Sequence, residues 1–160
     1  MMPCPHAHAV TAKSMGGAQP FMVKWKKTKK AQVPLKMKKV PLVDELFQGA
    51  VSLEKTEEGV KPWRIPYADY ELFPPNGIGG KAEQAAGVRL CFASDTAEVE
   101  LHLLPSDANR QFDSVVDGQL MGTETLAAGE KTVVFRGLPP ENKTIELYLS
   151  QSHAVTVTGL

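Results

Sequence analysis

Trp63, Arg64, Tyr67, Tyr70 and Phe73 fall within one fifteen-residue stretch, KPWRIPYADYELFPP, which spans residues 61–75 and contains four prolines. Aromatic faces can stack on a sugar ring or a base, and an arginine beside them can take a carboxylate or phosphate. Trp63, Arg64, Tyr67 and Tyr70 are therefore the candidate ligand-binding residues. A structural role competes with this one. Counting at the strand period of two does not put the rings on one face. In the structural alternative Trp63 and Phe73 close one end of a core, while the hydroxyls of Tyr67 and Tyr70 tie down the loop. Arg64 would then pair with Asp69 or Glu71 and lay its stem over apolar surface.

No residue is assigned a catalytic role. A serine nucleophile needs an adjacent base, a group that orients the base, and donors for the oxyanion. Asp113-Ser114 stands in FDSVV (residues 112–116) without a preceding glycine, in a segment that reads as a strand. No aspartate stands three positions before any of the four histidines. Cys4, His6 and His8 in CPHAH are metal-capable side chains, but they lack a fourth partner, so no metal site is assigned. FPPNGIGG (residues 73–80) is glycine-rich without the spacing of a phosphate-binding loop, and no cofactor is expected. Asn142-Lys-Thr144 matches a glycosylation sequon, which carries no meaning in a cytoplasmic protein.

The elements that must position these residues read as strands. AEVELHLLP (97–105) alternates Val99, Leu101 and Leu103 against Glu98, Glu100 and His102, the pattern of a strand with one wet face. VRLCFAS (88–94) precedes it across a short turn, and Cys91 in that run reads as a buried free thiol. Asp117-Gly118 lies between short apolar runs and signals a two-residue hairpin, because both positions tolerate positive φ. KTVVFRGLP, KTIELYLSQ and AVTVTGL supply further strands. LVDELFQG offers one helical turn, and GGKAEQAAG a loop or short helix. Six or more short strands joined by tight turns predict an all-β fold, an antiparallel β-sandwich or jelly roll.

Charge divides the chain of 160 residues in two. Residues 1–40 hold nine lysines and no acid, whereas residues 41–160 hold nine basic residues against eighteen acids. The Lys-rich segment 1–36 has little to bury and is expected to be a disordered tail, with residues 37–160 forming the sandwich domain. The abrupt change suggests Met37 as the natural start, the first 36 residues being an upstream translation. Specific nucleic-acid binding is not expected, since the acidic body repels phosphate. No apolar run of about 18 residues and no signal-peptide pattern is present. With only two cysteines in addition, the expectation is a cytoplasmic protein that does not enter membranes.

The run GVKPWRIP, LFPPNGIGGKAEQAAGVRLCFASDTAEVELHLLP, FDSVVDG and TVVFRGLPPENKTIELYLSQSHAVTVTGL resembles the N-terminal β-sandwich domain of two-domain SGNH-type (GDSL-like) esterases. The resemblance covers about three-quarters of the chain and rests on the order of the motifs. It departs at Ser150, where proline is expected. In that family the sandwich leads into a hydrolase domain with Gly-Asp-Ser and Asp-x-x-His blocks, and this sequence contains neither. The resemblance implies a noncatalytic accessory domain, not an enzyme by itself, that packs on an SGNH hydrolase domain and helps shape a cleft for an acylated carbohydrate or related ester. The chain is expected to stop where that domain should begin. The partner's absence would leave an uncovered docking face and self-association. The alternative is a free-standing carbohydrate-binding module with Trp63, Tyr67 and Tyr70 as its platform.

Overall fold

The computed structural model describes residues 38–160. The expected disordered tail, its lysine run, the Met37 start and the Cys4, His6 and His8 group lie outside the described residues. Among the described residues, alternating apolar residues with tight turns between them produce ten strands: β1 (Phe47–Gln48), β2 (Ser52–Lys55), β3 (Val60–Trp63), β4 (Arg89–Ser94), β5 (Glu98–Leu103), β6 (Arg110–Val116), β7 (Gln119–Leu126), β8 (Thr132–Arg136), β9 (Lys143–Tyr148) and β10 (Val157–Gly159). They form two five-stranded sheets, β1-β4-β9-β6-β7 and β2-β3-β10-β5-β8, in which every pairing is antiparallel. The fold is an all-β antiparallel sandwich, as the alternation predicts.

The inward positions of both sheets meet in one core. Leu90 on β4, Phe112 on β6, and Ile145 and Leu147 on β9 face Leu101 and Leu103 on β5, Phe135 on β8 and Val157 on β10. Each such side chain contributes about 1.5–3 kcal/mol on removal from water. The β6–β7 hairpin turns at Asp117-Gly118, with φ of 47° and 80°, as the dipeptide predicts. The turn after β4 behaves differently. β4 and β5 lie in different sheets, so Asp95-Thr96 carries the chain across the sandwich and closes no hairpin. β8 and β9 are separated in the same way.

Two basic side chains are buried among the strands. Lys143 donates from Nζ to the carbonyls of Ser94, Thr96 and Glu141, so it joins the β4–β5 crossing to the β8–β9 crossing. Arg110 donates from Nη2 to the Leu104 carbonyl at 2.8 Å, while its Nε is buried without an acceptor. Burial pushes the Arg110 pKa below its ordinary value. Cys91 is half-buried on the outer side of β4, cross-strand from Glu146, and is not the fully buried thiol that its apolar run suggests. The outward registers of a half-wet sheet explain the difference: Leu90 takes the inner face and its neighbour must take the other. Among the described residues no helix is long and apolar enough to cross a membrane.

Candidate functional site

β2 and β3 form a hairpin whose register places Glu54 opposite Lys61 and Ser52 opposite Trp63. Beyond β3 the prolines end the ladder, and Tyr67–Leu72 winds into a short 3-10 segment. A kink at Asp69 divides it into two turns, and Tyr67 before the kink and Tyr70 after it both reach the Trp63 indole. Tyr67 lies at 5.0 Å between ring centroids, and Tyr70 meets the indole edge-on at 5.4 Å. Counting at the strand period misses this convergence because the segment is not a strand.

The indole is enclosed on all these sides. Lys61 Nζ sits 4.4 Å from its centroid and is itself held by Glu83 at 2.6 Å. Trp63 Nε1 donates to Glu54 Oε2 at 3.0 Å. Trp63 is only 3% exposed and heads a small second core with Ile65 and Ala82, against which Tyr70 and Phe73 pack. In this arrangement its ring presents no open face for a ligand. Tyr67 remains 43% exposed. The Tyr67 phenol pKa is held above its ordinary value, first by a hydrogen bond to Glu54 and then by the charge of that carboxylate. The Tyr67 backbone N–H donates to Ser52 Oγ, which in turn donates to the Ile65 carbonyl. Arg64 is exposed and pairs with neither Asp69 nor Glu71; its backbone N–H donates to the Ala82 carbonyl.

The loop that follows has an unusual backbone. Asn76, Gly77, Ile78, Gly79 and Gly80 all have positive φ, between 46° and 76°, so the turn Asn76–Gly79 is wound left-handed. Glycine adopts that conformation without penalty, whereas a β-branched residue is strained there. Gly77 is also needed for space, since a Cβ there would lie 2.6 Å from Tyr70 Cε2. Ile78 in this turn and Leu72 at the end of the 3-10 segment before it are 53% and 75% exposed. The glycine run was visible in the sequence, but its handedness and the display of Ile78 were not.

A second concavity lies on the other sheet. β6 pairs with β7 as far as Arg110↔Leu126, yet its ladder with β9 ends at Asp113↔Tyr148. Where β9 leaves, a cleft of about 470 Å³ opens, lined by Asn109, Gln111, Asp113, Thr125, Leu149, Ser150, Gln151 and Ser152. The sequence reading missed it, because a cleft made by two strands parting has no local signature. Ser114, on the opposite face of β6, is buried and donates to the Gly122 carbonyl at 3.3 Å.

A family model described as the N-terminal domain of SsfX3 matches residues 46–157. A solved structure titled "Salicylyl-Acyltransferase SsfX3 from a Tetracycline Biosynthetic Pathway" is similar, with a TM-score of 0.68 and 29% identity over 77% of this chain. The match covers 38% of that protein, so the chain spans well under half its length. No curated protein matches. These findings correct the assignment to SGNH-type esterases. The motifs taken to carry it fall almost wholly within the residues that the SsfX3 N-terminal model matches, and the similar structure is titled an acyltransferase. Strand alternation and turn residues specify a sandwich; they do not specify which enzyme the sandwich accompanies.

Proposed function

The chain belongs to the SsfX3 N-terminal domain family, and from that premise we propose that it is the noncatalytic accessory domain of an acyltransferase-type protein. The reading is carried by one observation: the similarity takes in most of this chain but only 38% of an acyltransferase. The local chemistry agrees with it. Ser114 is buried, and its hydroxyl is engaged by a backbone carbonyl. A hydroxyl so placed has no base beside it and no route to a substrate carbonyl.

In this reading the exposed side chains of residues 64–78, Arg64, Tyr67, Leu72 and Ile78, belong to the face that an acyl-transfer domain covers. Exposed apolar side chains, Ile78 on a strained turn among them, suit a surface that becomes buried on association. Trp63 and Tyr70 support that face from behind, and the domain forms one wall of an acyl-ester cleft. The direct experiment assays the purified chain for hydrolysis and transfer of an aryl ester, against a heat-treated control. The expected result is no turnover above the control. Turnover that Ser114→Ala abolishes would overturn the proposal.

A further inference from the structure

We propose that the cleft between β6 and the segment after β9 is a binding site for a neutral, polyhydroxylated ligand, that is, a carbohydrate. This inference stands apart from the accessory-domain reading and uses none of the residues of the Trp63 loop. The cleft exists because the β6–β9 ladder stops at Asp113↔Tyr148 while β6 continues to Arg110. The parting leaves side chains of β6 facing those of residues 149–152 across about 470 Å³, the size range of small-ligand sites.

The lining decides the ligand class. Seven of its eight residues are polar, and Leu149 alone is apolar, which disfavours a hydrophobic ligand. No lysine or arginine lines the cleft, and Asp113 places a carboxylate in it, which disfavours an anion. What remains is a set of paired donors and acceptors. Asn109 spends its Oδ1 on the Ala128 N–H, so its amide NH₂ is left to donate. Asp113 receives the Thr123 hydroxyl on Oδ1, which leaves Oδ2 as an acceptor. Gln111 and Gln151 are exposed, and each offers both a donor and an acceptor. Thr125 adds a hydroxyl, while the Ser152 hydroxyl is already paired with His153 Nδ1 at 3.0 Å. Adjacent hydroxyls of a sugar each give and take one hydrogen bond, and carboxamides beside a carboxylate match that demand.

The test uses the full chain with four soluble tetrasaccharides, built of glucose, xylose, mannose or galactose. Side-chain amide resonances are followed by NMR up to millimolar sugar. At least one sugar is expected to shift the Asn109, Gln111 and Gln151 amide signals saturably. Gln111→Ala, at an exposed position that leaves the melting temperature unchanged, is expected to weaken that binding about tenfold, the effect of losing a pair of hydrogen bonds. Silence with all four sugars would overturn the proposal. So would saturable shifts confined to residues 63–80, or binding that Gln111→Ala leaves intact.

Discussion

Glu54 serves two aromatic residues at once, accepting the Trp63 indole N–H and holding the Tyr67 phenol. The carboxylate favours the protonated phenol, so the Tyr67 pKa is raised above 10.0. The stability that goes with a raised acid is fully present below the unfolded value and is lost as pH climbs through the folded value. The phenolate absorbance assigned to Tyr67, as the difference between the chain and Tyr67→Phe, should therefore rise later than that of a free tyrosine. Glu54→Gln should bring the transition back toward lower pH. A titration of Tyr67 at or below the free value would contradict the contact. Gly77 is a separate test of the same corner. Gly77→Ala must both strain a φ of 63° and push back the Tyr70 ring. It should cost about 2–4 kcal/mol in urea denaturation, whereas Gly79→Ala, which meets open space, should cost about 1 kcal/mol. Equal losses at the two positions would show that the Tyr70 contact contributes nothing.

At the level of elements, the strands were legible and their partners were less so. The alternation in residues 97–105 and the Asp117-Gly118 turn both translate directly into β5 and the β6–β7 hairpin. Period and positive φ are local properties, and a sequence displays them. Which sheet a strand joins is not local. Asp95-Thr96 looks like a hairpin turn and is a crossing between sheets, because the β4 edge is taken by β1 and β9. The site residues followed the same division. Trp63 as core cover was one of two readings the stretch allowed, but the meeting of Tyr67 and Tyr70 over it depends on a kinked 3-10 segment with no clear sequence signal. Lys143 is a further case: nothing in KTIELY marks a lysine that is buried against three carbonyls. Lys143→Met keeps the stem and removes the donors. It should lower stability by about 1–3 kcal/mol, measured from the urea midpoint, since the freed carbonyls lose a charged partner. No change in the midpoint would mean that the two crossings hold together without it.

For the sandwich as a whole, the architecture and the enzyme attached to it are specified at different levels. Its architecture came from patterning and stands, while the enzyme attached to it was inferred from motif order and does not. Sandwiches of similar outline accompany many activities, so motif order that mostly reports strands and turns carries little about the partner. The described body also bears an exposed apolar corner at Tyr67, Leu72 and Ile78. In the absence of a covering domain this corner should drive weak self-association. Sedimentation at rising concentration should detect it, and Leu72→Asp should reduce it. Equal sedimentation of the two proteins would remove the corner from the account of association.

The left-handed turn bears on how such a domain would respond to selection. Ile78 holds a conformation in which glycine or asparagine would be more comfortable, and about half of its surface is exposed to water. A library screened only for persistence on heating would therefore discard the isoleucine early. If an acyl-transfer domain covers this turn, as proposed, a library screened for the activity of the assembled protein would retain it. Divergence of the two screens at this single codon would separate what the domain needs in order to fold from what it needs in order to be used.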